Sequence, residues 1–203
     1  MKNDLFSIGP FTVHGYGLMI AIGVLSAYYM VEYRAKKKQM DWEKVFPLTV
    51  WSVLGGFLGS KILYLLTRLP DILANPALLG SSIKDGFVVY GGIIGGILTA
   101  WIYCKCTKWN FWKIFDIAMP AVAMAQGFGR IGCLLAGCCY GRELDSANPM
   151  AIVFHNSAYA PNDVALLPTQ IISSVLDFAN CFVLLALSKK LKTDGQVASC
   201  YLI

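Results

Sequence analysis

Five apolar stretches of the chain are each long enough to cross a bilayer, which takes roughly 20 helical residues. We predict spans at about 11–31, 45–66, 87–104, 114–136 and 170–188. Only 14% of the 203 residues are charged, whereas soluble domains have about 25%, and the mean hydropathy is +0.58. The low charged fraction together with the high mean hydropathy excludes a soluble domain, a disordered chain and a secreted domain held together by disulfides. We therefore predict an all-α fold, a polytopic transmembrane helix bundle, with residues 1–203 forming one integral-membrane domain.

Two further segments of the chain are interpreted from their length and polarity. A further apolar stretch begins at about residue 196 and stops at Ile203, too early to cross a bilayer. We expect an incomplete sixth span there, and a sequence that is a fragment. Residues 137–169 are polar and rich in turn-forming residues. They are expected to form an external loop region with at most a short strand at 151–154.

The basic residues predict the orientation in the membrane. The loops after the first, third and fifth spans carry eleven of them, namely Arg34, Lys36, Lys37, Lys38, Lys44, Lys105, Lys108, Lys113, Lys189, Lys190 and Lys192. The other side carries four, Lys2, Arg68, Lys84 and Arg142. Because Lys and Arg concentrate in cytoplasmic loops, the N-terminus is expected outside the cytoplasm. The net charge of +5 is thereby explained by topology, and no nucleic-acid partner is expected.

Two cations fall inside predicted spans, Lys61 and Arg130. An intramembrane arginine costs at least about 2.5–3.5 kcal/mol on insertion scales and usually marks a functional site. Arg130 follows Lys113 by 17 residues, or about 25 Å of helix, which places it near the outer headgroups. Lys61 has a similar depth. Snorkelling to the headgroups explains either cation, but the nearby glycines Gly127, Gly129 and Gly132 favour an arginine that faces the helix bundle.

Other polar side chains are predicted at the same depth. His14 and Tyr16 open the first span, and Tyr90 opens the third. Either tyrosine alone is typical of the aromatic belt at a membrane interface. Together with Lys61 and Arg130 they define a polar layer contributed by four spans. Since a guanidinium can donate two parallel hydrogen bonds to phosphate oxygens, this layer suits the binding of a phosphodiester.

The glycines and cysteines are interpreted as structural. The pairs Gly55/Gly59, Gly91/Gly95 and Gly92/Gly96 follow the small-xxx-small pattern of close helix crossings. Seven cysteines cannot all pair within one chain, no Cys-x-x-Cys occurs, and there are only two histidines. We expect most cysteines to be small buried hydrophobes, with no metal site and no cofactor. A thiol-redox membrane protein that uses Cys133, Cys138 and Cys139 on the outer face is an alternative hypothesis.

Several segments resemble, in order along the chain, motifs of the prolipoprotein diacylglyceryl transferases. They are Phe6-Ser7-Ile8-Gly9-Pro10, His14-Gly15-Tyr16-Gly17-Leu18-Met19, Phe57-Leu58-Gly59-Ser60-Lys61, Tyr90-Gly91-Gly92-Ile93-Ile94-Gly95, Gly129-Arg130-Ile131-Gly132 and Leu167-Pro168-Thr169-Gln170. The resemblance implies transfer of a diacylglyceryl group from phosphatidylglycerol to the thiol of a lipobox cysteine in a preprolipoprotein. Glycerol phosphate is then the leaving group and a thioether is the product. The resemblance also implies that the protein lies in a lipid bilayer, that this bilayer is the bacterial cytoplasmic membrane, and that the site faces the outer leaflet.

The depth argument and the resemblance together define a candidate site. Substrate binding is predicted at Arg130, Lys61, Gly91, Gly92, Gly129 and Gly132, and catalysis at Arg130, Tyr90, Tyr16 and His14. The sequence departs from the family pattern where Cys133 and Ala136 replace asparagines, Cys138 replaces a glutamate and Tyr90 replaces a histidine. With a tyrosine at position 90, His14 becomes a second candidate for the base that deprotonates the acceptor thiol.

The departures leave other functions open. A related transferase with a different donor lipid or acceptor is one alternative. A lipid-binding scaffold or transporter is another, although a shallow polar layer without a polar path through the membrane argues against transport. The family also carries a second arginine in a Tyr-Gly-x-x-Arg stretch, and the sequence stops at Ile203 before it. We therefore expect activity from the complete protein rather than from these 203 residues alone.

Overall fold

The computed structural model describes residues 4–8, 11–75, 86–145, 148–191 and 193–202, and for residues 4–8 and 11–13 the backbone only. Lys2, Lys84 and Lys192 of the charge count, and Gly9 and Pro10 of the first family motif, lie outside the described residues.

Helices dominate the described residues. The long ones are α1 (Gly15–Lys37), α2 (Val45–Thr67), α4 (Val89–Cys106), α5 (Phe111–Ala136) and α6 (Thr169–Lys190), and the short ones are α3 (Leu69–Ala74) and α7 (Gln196–Leu202). One turn of 3-10 helix, Trp42–Lys44, precedes α2. Within the described residues, five helices are long and apolar enough to cross a membrane. The predicted all-α membrane fold is thus confirmed, and α7 begins where the incomplete span was expected.

The N-terminal boundary of the first predicted span is wrong. Residues 11–14 belong to a strand, because β1 (Asp4–Ile8) pairs antiparallel with β2 (Phe11–His14) before α1 begins. An apolar run alone does not distinguish the end of a strand from the start of a helix. The aromatic and β-branched residues of β2 favour the strand.

The chain divides into two compact units, which are described separately. The first comprises Met1–Arg34 and Phe115–Ile203. Part of its core is formed by Ala123 of α5, Cys181 and Leu184 of α6, and Val197 of α7, all nearly inaccessible to solvent. The apolar faces of three helices therefore meet in this unit, which also contains Arg130.

Two buried polar groups lie at one end of this core. Arg34 is only 7% exposed and donates from Nη1 to the carbonyl of Ile117 at 2.8 Å. The prediction that Arg34 lies in a loop is wrong, because α1 continues to Lys37 and packs this side chain inside the unit. The carboxylate of Asp116 accepts hydrogen bonds from the backbone N–H groups of Gly195 and Ala198, both at 2.8 Å.

The second unit, Ala35–Ile114, is built on the antiparallel pair α2 and α4. Glycines form the crossing: a Cβ built on Gly59 would lie 2.9 Å from Cα of Gly95, and one built on Gly55 would lie 2.7 Å from Cβ of Thr99. The backbones approach too closely for any side chain at these positions. The interpretation of the glycine spacings as a close helix crossing is confirmed.

The loop region predicted at 137–169 contains a small folded core. β3 (Ile152–Val153) pairs antiparallel with β4 (Ala165–Leu166), as the prediction of a short strand at 151–154 required. Phe154, Ala160 and Leu166 are buried together beneath this pairing. The segment is therefore anchored by its own apolar contacts as it leads from α5 to α6.

Candidate functional site

Arg130 lies on an exposed part of α5. A Cβ built on the preceding Gly129 would meet nothing within 4 Å, so the helix surface at Gly129, next to Arg130 in the chain, is open. The carboxylate of Asp177, in α6, interacts electrostatically with Arg130. Sequence reasoning missed Asp177, although a carboxylate in the middle of an apolar span is itself a signal of a functional position.

A hydrogen bond from α7 lies one helical turn from Arg130. The hydroxyl of Tyr201 donates to Oε1 of Gln126 at 2.8 Å, and Gln126 precedes Arg130 by four residues, which places the two on the same face of α5. Asp177 also lies near Tyr201. Helices α5, α6 and α7 thus each contribute a polar group to the neighbourhood of Arg130. Gln126 and Tyr201 were also missed, although polar residues four apart within a span are a readable pattern.

Tyr16 and Gly132 meet where α1 crosses α5. A Cβ on Gly132 would lie 3.1 Å from the ring of Tyr16 and 3.3 Å from Cβ of Met19. The Tyr16 side chain is 42% exposed. His14, also exposed, ends β2 just before α1. Two predicted residues of the site, Tyr16 of α1 and Gly132 of α5, are therefore in contact.

Three thiols converge at the C-terminal end of α5, one in its last turn and two just beyond it. The Sγ atoms of Cys133, Cys138 and Cys139 all lie within 4.8 Å of one another. Tyr16 lies in the neighbourhood of all three thiols. Burial raises the pKa of the Cys138 thiol, so this group is protonated at neutral pH.

The helix terminus accounts for this convergence. The N–H of Cys138 donates to the carbonyl of Cys133 at 3.0 Å, and the N–H of Gly137 donates to that of Leu134 at 3.2 Å. These two bonds form a Schellman motif, which brings Cys133, three positions before the last helical residue Ala136, against Cys138, the second residue beyond it. Gly137 has the positive φ, 73°, that the motif requires, and Cys139 follows with φ of 57°.

The interpretation of most cysteines as buried hydrophobes is wrong. Of the seven, only Cys104 and Cys181 are buried, and Cys139 is among the exposed ones. The spacing rules for metal sites do not predict this cluster of three thiols, because those rules look for Cys-x-x-Cys pairs. A glycine directly after an apolar helix, which signals a left-handed cap, could have predicted it.

The start of α6 holds the backbone of this cluster. Nε2 of Gln170 donates to the carbonyl of Cys138 at 2.7 Å, and Oγ1 of Thr169 donates to that of Cys139 at 2.7 Å. Gln170 is only 1% exposed, and among the described residues its Oε1 has no hydrogen-bond partner. The backbone carbonyls of Cys138 and Cys139 are therefore both held by side chains at the start of α6.

The remaining predicted residues lie in the second unit. Nζ of Lys61 donates to the carbonyl of Gly86 at 3.1 Å and lies 4.7 Å from the ring centroid of Phe87. These two contacts favour a structural role for the Lys61 ammonium. That Lys61 binds phosphate stays a prediction. Tyr90, in the first turn of α4, is 74% exposed.

The two predicted binding glycines of α4 face α2. Gly91 lies against the carbonyl of Gly59, and a Cβ on Gly92 would lie 3.4 Å from the carbonyl oxygen of Gly56. Both glycines therefore contribute to the helix crossing, whereas the open surface beside Gly129 is accessible. A role for Gly91 and Gly92 in substrate binding stays a prediction.

The match to a known family covers nearly the entire sequence. A family model described as prolipoprotein diacylglyceryl transferase matches residues 3–203. The chain belongs to the prolipoprotein diacylglyceryl transferase family. The family assignment based on the sequence motifs is confirmed, and the chain is that of a multi-pass membrane protein.

Relatives of this diacylglyceryl transferase family member are found in several bacteria. Proteins named phosphatidylglycerol--prolipoprotein diacylglyceryl transferase are 43% identical in Clostridium tetani, over all of this chain and 80% of that protein, and 30% identical in Staphylococcus carnosus, over 98% of this chain and 73% of that one. A protein of Clostridium perfringens, whose name is the same with a 2 added at the end, is 41% identical over all of this chain and 78% of its own length. The similarity thus includes both units of the fold.

Proposed function

We propose that this protein transfers the diacylglyceryl group of phosphatidylglycerol to the thiol of a lipobox cysteine in a preprolipoprotein. The observation that carries the proposal is an arginine within an apolar span, Arg130, beside open space at Gly129 in a chain that matches the family over residues 3–203. The distribution of basic residues supports an N-terminus outside the cytoplasm and a site near the outer leaflet of the bacterial cytoplasmic membrane.

In this proposal Arg130 binds the phosphate of the donor lipid. Its guanidinium forms two parallel hydrogen bonds to phosphate oxygens and stabilises the charge that develops on the leaving glycerol phosphate. Asp177, which interacts electrostatically with Arg130, orients the guanidinium before the lipid arrives. The missing side chain at Gly129 leaves room for the glycerol backbone, which must lie against the helix for its phosphate to reach Arg130.

The transfer is a substitution at carbon. The thiolate of the acceptor attacks the glycerol carbon that carries the phosphoester oxygen, a C–S bond forms, and the C–O bond breaks with its electron pair leaving on glycerol phosphate. The thiol proton passes to a base, for which Tyr90, His14 and Tyr16 are the candidates. Both reactants dissolve in the same leaflet, so the protein's main contribution is to hold them in line.

Purified full-length protein and a synthetic lipobox peptide test the proposal. Vesicles of phosphatidylglycerol labelled in the acyl chains supply the donor, and the expected result is a labelled peptide together with one glycerol phosphate per transfer. A peptide with serine in place of the lipobox cysteine is the matched control and should stay unlabelled. Absence of labelling from phosphatidylglycerol, or equal labelling of the serine peptide, would contradict the proposed function.

A further inference from the structure

We propose that Cys133, Cys138 and Cys139 bind one Zn²⁺ ion, and that the fourth coordination position of this ion holds the acceptor thiol as a thiolate beside Arg130. The first half, the metal site, stands on the geometry of the three thiols alone. The second half rests on the proposed function and deepens it, because it assigns the acceptor a binding group.

The spacing of the sulfurs fits a zinc ion. A Zn–S bond of about 2.3 Å in tetrahedral geometry separates two ligand sulfurs by about 3.8 Å. The three Sγ atoms already lie within 4.8 Å of one another. Closing the site therefore requires small rotations about the side-chain bonds of cysteines and no movement of the helix.

The backbone that presents the sulfurs is already fixed. The Schellman motif holds Cys133 and Cys138 against each other, and Thr169 and Gln170 hold the carbonyls of Cys139 and Cys138 at 2.7 Å each. Most metal sites lose affinity when such supporting contacts are absent. Because these hydrogen bonds order the backbone by themselves, binding costs little further ordering of the chain.

Zn²⁺ accounts for three thiols better than a disulfide does. A disulfide would use two of the sulfurs and leave the third without a role. Three protein ligands and one open position are the arrangement of catalytic zinc sites, in contrast to the four protein ligands of structural ones. Cys139 is exposed, so the ion and the acceptor thiol can approach from that side.

The site adjoins the predicted phosphate-binding residue. Cys133 follows Arg130 by three residues in α5, and residues three apart are neighbours on a helix surface, with about 5–6 Å between their Cβ atoms. An acceptor sulfur on the ion would lie on the same face as a donor phosphate on Arg130. The two reactants would therefore meet over a single turn of α5.

The ion would supply the activation of the acceptor. A thiol that replaces water on Zn²⁺ loses its proton, which passes to the base or to solvent. The bound sulfur then attacks the glycerol carbon, the C–O bond breaks, and the electron pair leaves with glycerol phosphate. The product thioether is neutral and a weaker ligand than the thiolate, so water replaces it and the lipidated peptide departs.

Metal binding is measured without reference to activity. The full-length protein is purified in detergent under reducing conditions, stripped with a chelator, and titrated with Zn²⁺ in competition with a chromophoric chelator; Co²⁺ is added in parallel to detect sulfur-to-metal charge-transfer absorption. We expect one Zn²⁺ per chain and an absorption band with Co²⁺. Cys133→Ser, Cys138→Ser and Cys139→Ser should each weaken binding by about tenfold or more. Cys106→Ser and Cys200→Ser, at exposed thiols elsewhere, are the matched controls and should bind normally.

The failures of the two halves can be told apart. If the wild type binds neither ion, if the triple serine variant binds like the wild type, or if mass spectrometry of protein prepared without reductant, with free thiols blocked at cell lysis, finds a disulfide among the three cysteines, the metal site is overturned. If zinc binds but stripping and the triple variant leave peptide labelling unchanged, the catalytic half is overturned while the transferase stands. If zinc binds but the wild-type protein does not label the peptide, the proposed function fails while the metal site stands.

Discussion

The carboxylate of Asp116 accepts a hydrogen bond from the backbone N–H of Ala198 at 2.8 Å. Its second oxygen accepts from Gly195 at the same distance, and the Asp116 side chain is almost fully buried. One carboxylate in α5 thereby fixes the first turn of α7. The same short helix brings the hydroxyl of Tyr201 to Gln126, one turn from Arg130.

Replacing Asp116 should destabilise the protein. Asp116→Ala leaves buried N–H groups without an acceptor, and hydrogen bonds to charged groups contribute about 1.5–3 kcal/mol each. Asp116→Asn, which keeps one acceptor oxygen, should cost less. Asp41→Ala removes an exposed ion pair with Lys44 and is the matched control, expected to cost less than about 1 kcal/mol. Thermal unfolding in detergent measures all three, and equal midpoints for Asp116→Ala and Asp41→Ala would contradict the assignment.

The glycine crossing of the second unit predicts a contrast between adjacent residues. A Cβ on Gly95 would lie 3.0 Å from Cα of Gly59, whereas one on Gly96 would lie 3.5 Å from the carbonyl oxygen of Ser52, an ordinary contact. Gly95→Ala should therefore separate α2 from α4 and lower stability by about 1–3 kcal/mol. Gly96→Ala should be neutral or slightly stabilising, because alanine favours a helix. Unfolding midpoints in the opposite order would show that the helices do not cross in this way.

The open surface at Gly129 predicts a loss of activity without a loss of stability. A methyl group there meets nothing in the fold within 4 Å, so Gly129→Ala should keep or raise the unfolding midpoint. If the donor lipid lies against this surface, the methyl group should lower transfer by about tenfold, or roughly 1.4 kcal/mol. Gly96→Ala is the control with unchanged transfer. Full activity of Gly129→Ala would place the lipid elsewhere.

The helices could be predicted from the sequence because the signal for a membrane span is long, local and apolar. Their ends could not: β2 and the first turns of α1 are equally apolar, and Arg34 reads as a loop cation until the neighbouring Ile117 carbonyl is known. The glycine crossing was predicted from spacing alone, since small residues four apart have one geometric meaning on a helix.

The surroundings of Arg130 could be predicted only in part from the sequence. Arg130, Tyr16 and Gly132 are marked by charge, depth and spacing within one or two helices. The neighbours Asp177 and Tyr201 come from other helices, and their proximity depends on packing that no local pattern encodes. The thiol cluster depends on the helix cap at Gly137, whose φ of 73° turns the chain back on itself.

The base that receives the thiol proton is tested at positions 90 and 14. Tyr90→Phe should lower peptide labelling strongly, and Tyr90→His should restore or raise it, because imidazole accepts a proton near neutral pH. His14→Gln should cost less. Labelling is followed from about pH 6 to 9 for each variant. Full activity of Tyr90→Phe together with an inactive His14→Gln would assign the proton to His14 and leave position 90 a packing role.

The most direct test of the account is transfer by variants of Arg130. Arg130→Lys keeps the charge but loses the two parallel hydrogen bonds to phosphate, and labelling of the lipobox peptide from phosphatidylglycerol should fall about 100-fold. Arg130→Gln should fall at least as far, with both variants folded as judged by their unfolding midpoints. Arg68→Gln, at an exposed arginine paired with Asp71, is the matched control and should transfer normally. Near-normal labelling by Arg130→Gln would contradict the assignment of Arg130 as the group that binds the donor phosphate.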